Sequence, residues 1–179
     1  MREYRYDLHV HSCLSPCGDS DMTPNNLVQM ALLSGCEVLA ITDHNTCRNA
    51  PAVLEAGERN GLLVLPGMEL CTSEEAHVVC LFETLEGALD FDRYVYEHMP
   101  HVKNKPEIFG QQPILDGSDE QVGEEENLLL VSSFIGVDQV VELTAQYGGV
   151  AFPAHVGRDS YSVFASLRAI PPVLGFTAA

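Results

Sequence analysis

Two histidines near the start of the chain have the spacing of a metal-binding pair. Residues 6–19 read Y-D-L-H-V-H-S-C-L-S-P-C-G-D. Successive side chains of a β-strand point to opposite faces, so His9 and His11 share one face with Asp7. Each neutral imidazole needs both a donor and an acceptor partner, and two of them side by side suit a cation better than an apolar core. Surface histidines, or core histidines with hydrogen-bond partners, are the alternative interpretation of this pair alone.

A glutamate and further histidines are found where later strands are predicted to begin or end. They are His44, Glu69, His77 and His155. Any one of them could instead be a surface or strand-end residue. In parallel α/β folds, however, functional sites form beyond the carboxyl ends of several strands. Imidazoles with a bridging carboxylate suit zinc, iron or manganese, and such a site polarises a phosphoryl oxygen and lowers the pKa of bound water. Together these residues predict metal-assisted hydrolysis.

The elements that must position these residues alternate between strand and helix. The strands predicted by apolar runs are residues 6–11, 37–42, 62–65, 77–82, 128–132, 149–153 and 173–176. The helices predicted by periodicity and capping residues are 23–35, 50–60, 84–97, 137–147 and 160–167. This alternation favours an α/β fold with a largely parallel sheet. Prolines and glycines between residues 100 and 123 interrupt the pattern and predict a small hairpin inserted near residues 106–126.

The length and charge of the chain restrict its class. A chain of 179 residues is long enough for one domain and too short for two of ordinary size. The net charge of -17, from 26 acidic and 9 basic residues, argues against an extended nucleic-acid surface, which needs clustered Lys and Arg. No apolar run is long enough to span a bilayer, and the N-terminus does not resemble a signal peptide. We therefore expect a soluble, cytoplasmic protein.

The cysteines and the remaining histidines are expected to have no catalytic role. Without an export signal, reduced thiols are the default for the six cysteines. Cys13 and Cys17 could join a zinc site, but no second pair follows at zinc-finger spacing. His98 and His101 fall at a helix end and in a loop, so we expect them on the surface.

Six motifs in order along the chain resemble one known family. They are D-L-H-V-H-S, G-D, I-T-D-H-N, P-G-M-E-L, E-A-H-V-V-C-L-F and F-P-A-H. This series resembles the PHP (polymerase and histidinol phosphatase) family of metal-dependent phosphoesterases. The resemblance implies an α/β fold of the distorted (β/α)7 TIM-like barrel type, with a three-metal centre at the carboxyl ends of its strands. It also implies a hydrolase that acts on histidinol phosphate, on nucleotides and nucleoside bisphosphates, or on nucleic-acid ends.

The resemblance further implies a set of metal ligands and catalytic residues. The implied ligands are His9, His11, Asp19, His44, Glu69, His77 and His155. Glu69 would bridge two metals, and Asp21 is the alternative to Asp19. His44 or a bound water would supply acid–base help. Arg158 is a candidate for holding the substrate phosphate through bidentate pairing, with a solvated surface arginine as the alternative.

One family motif has no counterpart in this sequence. Family members end the barrel with D-x-H, and no D-x-H follows His155. The resemblance therefore implies a complete ligand set only for the metal held by Glu69, His77 and His155. We expect residues 1–179 to form a single domain that is incomplete at its C-terminus and lacks the last strand or strands. Its open sheet edge would need cover, for instance by self-association.

These observations predict a phosphoesterase with two or three divalent ions of zinc, manganese or iron. The expected partner is a small phosphorylated substrate, and neither nucleic acid nor a membrane is expected. The alternative is a non-catalytic module that binds metal or phosphate and lacks the final ligands.

Overall fold

A five-stranded sheet with helices on one face carries the fold, in a computed structural model that describes residues 3–177. The strands are β1 (Tyr6–Val10), β2 (Val38–Ile41), β3 (Leu63–Cys71), β4 (His77–Phe82), β5 (Pro113–Leu115), β6 (Gln121–Glu124) and β7 (Gly149–Pro153). The helices are α1 (Pro24–Leu33), α2 (Ala50–Asn60), α3 (Leu85–Glu97), α4 (Pro106–Phe109), α5 (Val140–Gln146) and α6 (Val163–Leu167). Within residues 3–177, no helix is long and apolar enough to cross a membrane.

The sheet is curled into a half barrel with the strand order β1-β2-β3-β4-β7. β1, β2 and β3 are parallel neighbours, whereas β4 is antiparallel to both β3 and β7. The expectation of a largely parallel sheet is therefore wrong for the second half of the sheet. Only residues 72–76 join β3 to β4, and a parallel connection needs a crossover of a dozen or more residues.

The two faces of the sheet bury different residues. Strand residues such as Ile41, Met68 and Val78 face the helices and form the main core with Phe91 and Val53. The opposite, inner face carries a smaller apolar cluster. Its members are Leu8, Ala40, Leu65, Val79, Leu81, Phe152 and Ala154. Because side chains alternate along a strand, Glu69 in β3 and His77 in β4 lie on this inner face.

Local signals set the helix ends much as the sequence predicts. The Thr23 hydroxyl accepts a hydrogen bond from the backbone N–H of Asn26, and Pro24 occupies the first turn of α1. The Thr84 hydroxyl caps α3 in the same way. Gly61 ends α2 with a left-handed backbone (φ 73°), which costs glycine little. His98 follows α3 as its C-cap.

Two predicted strands and some predicted bounds are wrong. Residues 128–132 contain turns rather than a strand. The expected strand 173–176 is not formed either, because Val173 and Leu174 belong to a short 3₁₀ helix, Pro172–Leu174, and Gly175 has a left-handed backbone (φ 73°) that an extended strand does not contain. The strand predicted at 62–65 continues to Cys71 as β3. The helix predicted at 137–147 is the shorter α5.

The predicted hairpin insertion near residues 106–126 is confirmed. It consists of α4 followed by β5 and β6, which pair in antiparallel fashion. The carboxylate of Asp119 accepts hydrogen bonds from the Thr23 hydroxyl (2.8 Å) and from the Asn25 backbone N–H (3.0 Å). Asn49 accepts a further one from the Leu115 backbone. The insertion is therefore docked on the start of α1 and on the segment before α2.

Candidate metal centre

The Glu69 carboxylate is the centre of a cluster of five imidazoles. Its side chain is 1% exposed, and a ring nitrogen of each histidine lies within 3.2 Å of one of its oxygens. The distances are 3.1 Å for His9, 3.0 Å for His11, 3.2 Å for His44, 3.1 Å for His77 and 3.0 Å for His155. A buried carboxylate needs partners, and here every nearby group is a potential metal ligand.

The two carboxylate oxygens face different rings. Oε1 lies next to His9, His77 and His155. Oε2 lies next to His11 and His44. This division matches what a carboxylate shared between two ions requires, because each oxygen faces its own set of nitrogens.

Strand directions explain why these residues converge. β1, β2 and β3 are parallel, and β7 runs in the same direction because both it and β3 are antiparallel to β4. His11, His44 and His155 follow the carboxyl ends of β1, β2 and β7. His77 opens β4, and because β4 is antiparallel, its first residue lies at the same end of the sheet.

A buried aspartate joins the loops after β1 and β2. The Asp43 carboxylate accepts hydrogen bonds from the Ser12 N–H (2.8 Å), the Ser12 hydroxyl (2.7 Å) and the Ser15 hydroxyl (2.6 Å). The Ser15 oxygen in turn accepts from the His44 backbone N–H at 3.0 Å. Burial raises the pKa of Asp43, although these hydrogen bonds and the nearby His11 oppose the rise. This network holds the loop that follows His11 beside His44.

Asn45 fixes the segment on the other side of His44. Its left-handed backbone (φ 52°) is a conformation that asparagine tolerates. Its side chain accepts a hydrogen bond from the Cys71 N–H and donates to the carbonyls of Leu129 and Val131. The carbonyls of Leu129 and Val131 are thus bonded by a side chain rather than by a neighbouring strand, and residues 128–132 do not form the predicted strand.

Charge in the cluster is arranged around Glu69. Burial alone would raise the pKa of Glu69, but hydrogen bonds with His11, His77 and His9 hold it well below its usual range. Burial lowers the pKa of His44 to about 3, and repulsion from His11 adds to this. The carboxylate is therefore ionised and His44 neutral near pH 7.

Two imidazoles next to the carboxylate favour the protonated form. Burial would lower the pKa of His11, but hydrogen bonds with Cys17 and Glu69 raise it to about 10. For His77, burial is likewise outweighed by hydrogen bonds with Cys71 and Glu69, which raise its pKa to about 9. The buried carboxylate thus requires neighbouring positive charge, which a divalent ion supplies without repulsion between rings.

The donor set suits a transition metal. Ring nitrogens also face one another, with His9 Nε2 at 3.2 Å from His11 Nε2 and His155 Nε2 at 3.3 Å from His77 Nδ1. Within the described residues there are three groups of potential ligands, and the donor atoms inside each group all lie within 4.8 Å of one another. They are His9–His11–Glu69, His44–Glu69–His77 and His11–Cys17–His44. Imidazole and carboxylate are ligands of zinc and iron sites, carboxylate also suits manganese, and thiolate favours zinc, so the residues fit the implied ions.

The structure brings together six of the seven proposed ligands, and the seventh lies apart. Asp19 is exposed and accepts hydrogen bonds from the Asp21 N–H and the Ser20 hydroxyl. Neither Asp19 nor Asp21 belongs to the three donor groups found among residues 3–177. A ligand role for Asp19 stays a prediction.

Cys17 is a potential donor that the sequence suggests only as a possible zinc partner of Cys13. The Cys13 side chain is buried, with 6% of its surface exposed. The structure instead places Cys17 beside His11 and His44. The position of Cys17 on the loop that follows His11 was the only sequence signal for this proximity. The direction of its side chain depends on the loop conformation, which the sequence alone does not give. His98 and His101 lie outside the cluster, with His98 stacked on Tyr94.

The cluster opens into a cavity of about 340 Å³. Arg158 and Tyr161 line it together with Leu129 and Leu130. Arg158 is exposed, and its backbone N–H donates to the His155 carbonyl at 2.9 Å. His155 has a left-handed backbone (φ 30°), a strained conformation that is concentrated at functional sites. The cavity has the size of a small-molecule site, and its lining includes the positively charged side chain of Arg158.

Comparison with known proteins agrees with this geometry. Residues 7–163 match the PHP domain family. The chain belongs to the PHP domain family. Its relatives include hydrolases of phosphoesters. The PHP domain is 41% identical over 76 residues to the 5'-3' exoribonuclease Rnm of Salmonella typhimurium, covering 41% of this chain and 25% of the relative. It is also 41% identical over 64 residues to phosphoribosyl 1,2-cyclic phosphate 1,2-diphosphodiesterase of Eggerthella lenta, covering 36% and 23%. The chain spans less than half of the length of these curated relatives.

Solved structures share the fold of this PHP domain at low sequence identity. The lesion-specific endonuclease PfuEndoQ of Pyrococcus furiosus aligns with a TM-score of 0.66 and 17% identity, over 96% of this chain and 39% of that one. A protein of Bifidobacterium adolescentis described as a metal-dependent phosphoesterase aligns with a TM-score of 0.60 and 20% identity, over 88% and 69%. These likenesses support the α/β half barrel.

Proposed function

We propose that this PHP domain hydrolyses phosphoesters with two or three divalent ions held around Glu69. The proposed ligands are the five clustered histidines, Glu69 and, as predicted from the family motif, Asp19. The observation that carries the proposal is the buried Glu69 carboxylate, whose two oxygens face separate sets of imidazoles at the base of a cavity. The half barrel would be part of a distorted (β/α)7 barrel, with self-association as one way to cover its open edge.

Different residues of the site would have different roles in hydrolysis. When bound, the ions would polarise the phosphoryl oxygens and lower the pKa of a water. Glu69 would keep two ions adjacent, since its oxygens face opposite groups of rings. His44 is neutral near pH 7 because burial lowers its pKa to about 3, so a ring nitrogen is free to bind an ion. A group with so low a pKa is a weak proton acceptor at pH 7, which favours a bound water over His44 for acid–base help. Arg158 would hold the substrate phosphate through its guanidinium.

The proposed substrate is a small phosphomonoester, a nucleotide or a nucleoside bisphosphate. A cavity of about 340 Å³ suits such a molecule. The net charge of -17 disfavours a long polyanion, because only 9 basic residues are available in the whole chain. The second candidate is the 5' end of a single-stranded RNA, favoured by the identity of 41% over 76 residues to an exoribonuclease.

Reconstitution of the purified protein tests the proposal. The protein is loaded with manganese, iron or zinc, its ions are counted by elemental analysis, and turnover is measured on p-nitrophenyl phosphate, a nucleoside bisphosphate and a short 5'-phosphorylated RNA. More than one ion per chain with turnover of the small substrates supports the proposal. Turnover confined to RNA favours the second candidate. Bound ions without turnover on any substrate would indicate a non-catalytic binding module and refute hydrolysis.

A further inference from the structure

Cys17 faces the metal cluster from the loop that follows β1. Its Sγ lies 3.0 Å from Nδ1 of His11. The sulfur and one ring nitrogen each of His11 and His44 all lie within 4.8 Å of one another. For comparison, the sulfur and nitrogen ligands of a tetrahedral zinc ion are about 3.6 Å apart, given bond lengths of about 2.3 and 2.05 Å. The thiol is therefore within reach of an ion that His44 would also bind.

The loop is built to hold the thiol in this place. Gly18 follows Cys17, and a Cβ at that position would lie 2.3 Å from the Ser12 carbonyl oxygen, so only glycine fits. The Gly18 N–H donates to the Ser15 carbonyl at 2.8 Å. Ser12 and Ser15 are both bonded to the buried Asp43 carboxylate. Cys17 thus lies on a turn that is held in place through Ser12 and Ser15.

The other cysteines of the chain have different surroundings. Four are buried, and Cys36 is partly buried with its thiol directed at backbone carbonyls. Cys17 is exposed and lines the cavity that contains the imidazoles. An accessible thiol between two imidazoles is a donor set that selects zinc, whereas manganese favours oxygen ligands.

We propose that Cys17 is a metal ligand whose thiolate, with His44, holds a zinc-selective position beside the ions bridged by Glu69. His11 would orient it, because its Nε2 faces Glu69 while its Nδ1 is directed at the sulfur. Binding releases the thiol proton to solvent as the sulfur–metal bond forms. The inference rests on the proposed function in that both concern the same metal centre, and it adds a thiolate to a site otherwise made of nitrogen and oxygen.

Cobalt(II), which substitutes for zinc, provides a direct readout. In the full-length protein loaded with cobalt, a thiolate ligand gives a sulfur-to-metal charge-transfer band in the near ultraviolet. We expect this band in the wild type and in the control Cys36→Ser, and its loss in Cys17→Ser. We also expect Cys17→Ser to lose one zinc equivalent per chain, with zinc affinity at that position lowered by about 100-fold or more. Cys17→Asp should restore the ion count without the band and shift the preference from zinc towards manganese.

The results separate this inference from the proposed function. A cobalt protein without the charge-transfer band, or an unchanged band and zinc count in Cys17→Ser, would overturn the role of Cys17. Hydrolysis by that protein would still support the proposed function. Circular dichroism of each variant checks that the fold is kept, and Cys17→Asp keeps the inference testable if Cys17→Ser is unstable. A protein that binds no metal at all would overturn both.

Discussion

Replacing Glu69 by glutamine is the sharpest test of the metal centre. The substitution keeps the size of the side chain and removes its charge. Five ring nitrogens lie 3.0–3.2 Å from the carboxylate, divided between its two oxygens. The amide of glutamine has one acceptor oxygen and one NH₂ group with two donor hydrogens, so one set of rings would face the NH₂ group instead of an oxygen. Both proposed ion positions would lose their shared anion.

The expected magnitude follows from that double role. Removing a residue that only orients a ligand costs about 10–100-fold in metal affinity, so a shared ligand should cost at least about 100-fold at each ion. That corresponds to about 2.7 kcal/mol per ion. Because hydrolysis would depend on both ions, we expect its rate to fall by at least about 10³-fold.

Elemental analysis after gel filtration and chelator competition measure the loss of ions, and phosphoester turnover measures the loss of rate. Glu58→Gln is the matched control, because Glu58 is an exposed residue of α2 and should change neither quantity. If Glu69→Gln keeps its full complement of ions and its rate while Glu58→Gln behaves as wild type, the reasoning about the shared carboxylate is refuted.

Three further predictions concern protons, the loop anchor and the substrate. Metal uptake should release protons and weaken as pH falls below about 9, because His11 (pKa about 10) and His77 (pKa about 9) must lose their protons to bind an ion. Calorimetry in buffers of different ionisation enthalpy measures the number of protons released. Uptake without proton release would contradict the prediction. Asp43→Asn should lower metal affinity by about 10–100-fold with the fold intact, since the Asp43 carboxylate positions the loop beside His44. Chelator competition measures the change, and an unaltered affinity would argue against this positioning role. Arg158→Ala should raise KM for a phosphoester by about tenfold or more with unchanged metal content, whereas an unchanged KM would identify Arg158 as a solvated surface residue.

The sequence was enough to predict which residues come close together where its signals are local. Alternation along a strand placed His9 and His11 together, and no tertiary information is needed for that relation. Thr23, Thr84 and Gly61 act within one turn of the helices that they start or end, so those boundaries were also predictable.

Other features depended on contacts between distant segments. The mostly apolar residues 128–132 suggested a strand, but the carbonyls of Leu129 and Val131 are bonded by Asn45, which lies more than eighty residues away along the chain. Cys17 and Asp19 are two residues apart on one loop, and only the loop conformation decides where each side chain lies. The Asp43 anchor and the tight turn at Gly18 bring the Cys17 thiol to the imidazoles, and Asp19 is exposed.

The sequence by itself determined which residues are able to bind metal and that they lie at strand ends. Only the tertiary structure decided that they meet around one carboxylate. The short connection between β3 and β4 reverses the direction of β4 and brings His77 to the end of the sheet where His44 and His155 lie. Side-chain periodicity is a property of each strand alone, whereas strand direction and loop conformation are set by packing against the rest of the chain.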